Sequence, residues 1–207
     1  MAEQSAVFQE IYDDYLRQVG ALDLPALAGR LGGRMVGDEL ELAFFGQPHR
    51  LSGKGVRDPE GRRPIHSVSV ILCKYAIIGG ESQRGEIQWT PYKGFPDAAP
   101  FVPGFDDTVH KIIANAFADD AAGLAAAAAA FGGVDPGLGL GYDVARQFHA
   151  LPKMPMLMLF NGAEDGFPAH CSVLFAQDAT SYLDVECIAI CGMVLAAWLR
   201  EQGKKQR

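Results

Sequence analysis

Two apolar runs of strand length, Met154 to Phe160 and His170 to Phe175, are followed by a segment with helical apolar spacing at Val185, Ile188, Cys191, Leu195 and Trp198-Leu199. This order constrains the fold more than any other feature. The connector Asn161 to Pro168 is rich in turn residues, so the two runs are expected to pair antiparallel. A sheet with an apolar face must bury it against another layer. The helix that follows supplies that layer, with Asp178, Ser181 or Asp184 as its cap and Gly203 as its stop. Met154, Met156 and Met158 alternate and share one side of their strand. Pro155 between them predicts an edge position or a bulge.

The earlier chain fits the same scheme. Val7, Phe8, Ile11, Tyr12, Tyr15, Leu16 and Val19 form a helical stripe, and Asp23 with Pro25 opens a second short helix that Gly32-Gly33 stop. Arg34 to Phe45 predicts a hairpin turning at Gly37-Asp38, with Leu40, Leu42 and Phe44 on its buried face. His49 to Leu51 adds a third short strand, and Ser52 to Arg63 is expected as a loop. Pro64 to Gly79 predicts a helix, and a strand is expected around Ile87-Gln88-Trp89. Asp106 or Asp107 caps a further helix, and Asp119-Asp120 opens the alanine-rich one at Ala121 to Ala130. Hairpins with segregated helices point to an α+β fold: antiparallel sheet, helices packed on it and the C-terminal helix buried against it. Residues 1–203 are expected as one domain, with a basic tail at 204–207.

Charge narrows the partners. Eighteen Lys and Arg against 25 Asp and Glu give a net charge of −7, which repels phosphate backbones and argues against nucleic acid. No apolar stretch is long enough to span a bilayer, and the first residues lack a signal-peptide pattern, so a cytoplasmic protein without membrane contact is expected. The four cysteines, Cys73, Cys171, Cys187 and Cys191, are expected as reduced, buried thiols with no metal.

Several motifs carry candidate chemistry. Glu164, Asp165 and His170 are the candidate catalytic groups, because adjacent carboxylates beside an imidazole can serve acid–base or metal chemistry. Trp89, Tyr92 and Phe95, with Met156 and Met158, are the candidate lining of a ligand cleft. Gly137, Gly139 and Gly141 do not match a dinucleotide or phosphate-loop fingerprint and are expected as a flexible turn.

Landmarks run along nearly the whole chain, among them Leu40-x-Leu42-x-Phe44-Phe45-Gly46, Lys74-Tyr75, Trp89-Thr90-Pro91-Tyr92, Pro152-x-x-Pro155 and Glu164-Asp165-Gly166-Phe167-Pro168-Ala169. In their order they resemble the DUF3786 family of prokaryotic proteins. The resemblance implies a setting in anaerobic bacteria and archaea, where some members carry an added four-cysteine iron–sulfur motif that this sequence lacks. It carries over no catalytic residue and no cofactor.

Three functional readings follow. The first is an accessory protein of anaerobic metabolism that binds a small-molecule or tetrapyrrole-like ligand among Trp89, Tyr92, Phe95 and the methionines. The second is an enzyme working through Glu164, Asp165 and His170. The third is an assembly subunit that forms a homo-oligomer through the alanine-rich helix.

Overall fold

A computed structural model describes residues 2–82, 85–139 and 141–206, with side chains from Val7 onward. Leu140, within the glycine-rich turn, lies outside the described residues.

Helix α1 (Ala2–Gly20) leads into α2 (Leu24–Leu31). The Asp23 carboxylate accepts the Ala26 N–H, Pro25 fills the first turn, and Gly32 at φ 72° closes the end, as the sequence predicts. A four-stranded antiparallel meander follows: β1 (Arg34–Val36), β2 (Glu39–Phe44), β3 (Gln47–Ser52) and β4 (Gly55–Arg57). The expected loop at Ser52 to Arg63 therefore contains a strand, whose three residues are too few to show an alternation. The turn between β2 and β3 places Phe45 at φ 45° and Gly46 at φ 77°. Positive φ at both central positions suits the twist of a two-residue hairpin, although a phenylalanine there is strained. Burial holds it: Phe45 is sealed in the core, packs against Phe148 and Trp198, and donates its N–H to Ala150 of the second sheet.

Helix α3 (His66–Ile78) precedes the second sheet, whose strand order is β5-β8-β7-β6, all antiparallel. Its strands are β5 (Trp89–Pro91), β6 (Val144–Leu151), β7 (Met154–Asn161) and β8 (His170–Ala176). Strand β5 lies two residues beyond its expected start. Strand β6 is an addition to the expected pair, because Arg146, Gln147 and His149 interrupt its apolar pattern. It also moves β7 from an edge to the interior. Pro155 survives there because β6 bulges between His149 and Leu151, opposite it, and the β8 pairing begins only at Met156.

The segment between the two halves of this sheet is helical. Helix α4 (Val102–Phe105) runs through a π-helical turn at Asp106–His110 into α5 (Lys111–Ala116), so Asp106 lies inside the helix rather than capping it. The π turn brings His110 onto the sheet: its Nε2 accepts the Val173 N–H at 3.1 Å while Nδ1 meets Asp106 at 3.0 Å. Both ring nitrogens are thereby committed to structure. Helix α6 (Ala121–Ala129) is capped by Asp120 and buries Leu124, Ala127 and Ala128.

The last helix, α7 (Val185–Gln206), packs on α3, α5 and α6 and runs through Gly203, the expected stop, to take Lys204 and Lys205 of the expected tail into its last turn, because Gly203 lies against the Phe117 ring where a Cβ would not fit. Trp198 meets Phe44 and Phe45 edge-on. Gly192 lets Phe105 approach so closely that a Cβ there would lie 2.7 Å from its ring. Cys187, Ile188, Cys191, Leu195 and Leu199 are buried, so the expected α+β architecture with a buried terminal helix is the one observed. Among the described residues no single helix is long and apolar enough to cross a membrane.

Candidate functional site

The candidate cleft residues from the sequence fall into two groups. Tyr92, Phe95, Met156 and Met158 lie in the core, each at most 5 % exposed. Tyr92 stacks on Phe105 with ring centroids 4.5 Å apart and donates its hydroxyl hydrogen to the Val185 carbonyl at 3.0 Å. Met156 and Met158 face into the same packed interior, which uses the thioether as an adaptable filler. Trp89 is half-buried at the start of β5. The signal at Tyr92, Phe95, Met156 and Met158 therefore marks a hydrophobic core built around β7 and β8 and not the lining of a ligand cleft.

Glu164, Asp165 and His170 do border one open cleft, of about 630 Å³, together with Asp143 and Phe167. The local backbone explains much of this grouping. Asp165 at φ 49° and Gly166 at φ 84° are the centre of a tight turn in which Glu164 and Phe167 exchange backbone hydrogen bonds of 2.8 and 3.2 Å. Asp-Gly is the dipeptide such a turn requires. Asp143 is used in a similar way, accepting the Gly162 N–H at 2.8 Å. Among the described residues no hydrogen bond or ion pair joins Glu164, Asp165 and His170 to one another, and Phe167 stands 76 % exposed at the hairpin.

The cysteines are all free and buried. Burial pushes the Cys73 thiol up to about 12, and it raises Cys171, Cys187 and Cys191 further, so none is primed as a thiolate nucleophile. Among the described residues no group of three His, Cys, Asp or Glu side chains is arranged to hold a metal ion.

A different cleft gathers polar groups against apolar walls. Helices α1, α3 and α7 meet so that Phe8, Ile11, Val70 and Ile190 line a space of about 290 Å³, bordered by His66, Ser67, Lys74, Asp184, Glu186 and Cys187. Asp184 is the pivot. One carboxylate oxygen accepts the Cys187 N–H at 2.8 Å and so caps α7, and the other holds the Lys74 ammonium at 2.8 Å. Burial alone would raise the Asp184 carboxyl, but the bonds from Lys74 and Cys187 outweigh it and hold the group below the usual carboxylate range. The same pair raises Lys74, chiefly through the hydrogen bond to Asp184. Lys74 also lies 5.5 Å from the centre of the Tyr15 ring. His66 leans on Phe8 at 5.2 Å, and burial, with the nearby Arg63 charge, favours its neutral form.

Reasoning from sequence singles out none of these residues as a site. Lys74 appears only as a family landmark and Asp184 only as one of three cap candidates. The α1, α3 and α7 residues are far apart in the chain, and nothing in their local spacing links them.

The chain is an α+β protein of two antiparallel sheets, with clefts at the helix interfaces and no assembled metal or nucleophile centre among the described residues. The chain belongs to the DUF3786 family, described as a domain of unknown function, whose model matches residues 23–198. No curated protein and no solved structure matches it. The matched span contains α3 and the start of α7, whereas α1, with Phe8 and Ile11, lies before it.

Proposed function

We propose that this protein binds a small amphipathic molecule in the cleft between α1, α3 and α7. The observation that supports the reading is the Lys74–Asp184 ion pair bordering an apolar-walled space. Ligand sites are mostly apolar concavities with a few placed polar groups. The ammonium has three donors and Asp184 engages one, so a ligand head can accept from the others. Asp184 and Glu186 on the same rim disfavour an anionic head. The chemistry therefore selects a neutral acceptor, a carbonyl or hydroxyl, on an apolar body that rests against Val70 and Ile190. A volume of about 290 Å³ falls just below the range of ligand pockets, roughly 300–1,000 Å³, and favours a small molecule over a tetrapyrrole-like one.

The test is thermal unfolding of the chain with short-chain amides and alcohols, beside a Val70→Trp variant that fills the cleft. A ligand present at about 100 times its dissociation constant stabilises the folded state by about 2.7 kcal/mol. Stabilisation of the native chain that disappears in Val70→Trp supports the reading. Equal stabilisation of both proteins removes it.

A second reading, an enzyme using Glu164, Asp165 and His170, is favoured by one observation: all three border the same open cleft. A cellular phenotype of gene loss that is fully restored by the Glu164→Gln, Asp165→Asn, His170→Ala triple variant would eliminate it.

A further inference from the structure

On the other side of α3 lies a separate cleft of about 260 Å³, bordered by His49, Asp58, Glu60, Ile65, Val68 and Trp198. His49 is only 5 % exposed, and its Nδ1 lies 2.9 Å from the Gln47 carbonyl. A carbonyl can only accept, so Nδ1 carries the hydrogen, and in the neutral ring Nε2 is left with a free lone pair. Nε2 has no partner among the described residues, yet it is not among their sealed, unpartnered polar atoms. It therefore reaches the cleft that the ring borders. Burial lowers the basicity of this imidazole, against the opposing pull of Asp58 and Glu60, so the ring is an acceptor near neutral pH.

The charge around that lone pair is negative. Asp58 accepts the N–H groups of Glu60 and Arg62 at 3.0 and 2.8 Å, which fixes its carboxylate in place. Arg62 bridges Asp58 and Glu60 at 3.3 and 2.9 Å, so one guanidinium faces two carboxylates and a net negative charge remains. Among the described residues no Lys or Arg borders the cleft. Trp198 and Val68 supply apolar wall, and an indole ring attracts cations.

We infer that this cleft is a site for a protonated organic amine, whose N–H donates to His49 Nε2 while its charge faces Asp58 and Glu60 and its carbon skeleton lies on Val68 and Trp198. The requirement for a donated hydrogen separates such an amine from a quaternary ammonium, and the requirement for charge separates it from an alcohol. The site shares no bordering residue with the α1/α3/α7 cleft, so its fate is independent of the function proposed above.

The experiment is a titration of the full chain with benzylamine and, in parallel, benzyl alcohol and benzyltrimethylammonium at pH about 8, where histidine is neutral. Resonances of the His49 ring and the Trp198 indole are followed by NMR. Benzylamine is expected to shift both and to bind more tightly than the other two probes. Glu60→Gln, a change at an exposed side chain, is expected to weaken benzylamine binding by about threefold to fivefold, as for loss of an exposed charge pair. His49→Phe, checked for folding by circular dichroism, is expected to abolish it. Unmoved His49 and Trp198 signals, equal binding of benzyl alcohol, or unchanged affinity in Glu60→Gln would each overturn the assignment.

Discussion

The α1/α3/α7 cleft and the Glu164–Phe167 hairpin both gather polar side chains beside a hollow, but they do so by different means. In the cleft, Asp184 caps a 22-residue helix and holds Lys74 at the same time, so the polar groups at the rim also build the fold. In the hairpin, the backbone makes the turn, and the Glu164 and Asp165 side chains stand exposed, without a hydrogen bond or ion pair among the described residues. Polar side chains anchored from several elements sit in a fixed geometry that a ligand can meet, whereas those on a turn are grouped by turn chemistry alone.

The largest effect is expected outside both regions. Met156→Ala in the interior strand is expected to cost about 2–5 kcal/mol, as for a large core truncation, in a chemical denaturation experiment. A cost near zero would mean that the methionine face is loose enough to line a pocket. Next in size is Asp184→Ala, which removes the cap of α7 and the partner of Lys74. The loss of the cap alone is expected to cost about 1 kcal/mol.

The same residue adds a pH signature. The Asp184 carboxyl is more acidic when folded, so its contribution is fully present above the ordinary carboxylate value of about 3.9 and fades as pH falls through the lower folded value. Asp184→Asn should flatten that acid limb relative to the native chain. An unchanged limb would show that other carboxylates carry it. The smallest effect is expected at the hairpin, where the Glu164→Gln, Asp165→Asn, His170→Ala triple variant should stay within about 0.5 kcal/mol of the native chain. A larger loss would show that these side chains are tied to the fold after all.

The sequence exposed much of the frame and little of the clefts, for physical reasons. Caps at Asp23 and Asp120, and stops at Gly32 and Gly79, are local signals, and each stands where the spacing places it. The alternation of Leu40, Leu42 and Phe44 marks a buried face that a neighbouring strand completes. Strand β6 escaped because it is half-buried on one side and carries Arg146 and Gln147 through its middle. The methionine strand misled for the opposite reason: alternation shows that side chains share a face, and not whether that face meets solvent or protein. Lys74 and Asp184 come together only through packing of α3 on α7, a contact without local periodicity. His49 is still less legible, since its lone pair is freed by a hydrogen bond to its own strand.

The cleft bordered by Val70, Lys74, Asp184 and Ile190 is proposed as the place where a small ligand lands. A methyl-labelled NMR screen of neutral amide and alcohol fragments tests it directly. Shifts concentrated at the Ile11, Val70 and Ile190 methyls, and lost in Val70→Trp, are expected. Fragments that perturb only methyls elsewhere in the chain, or none at all at millimolar concentration, would contradict it.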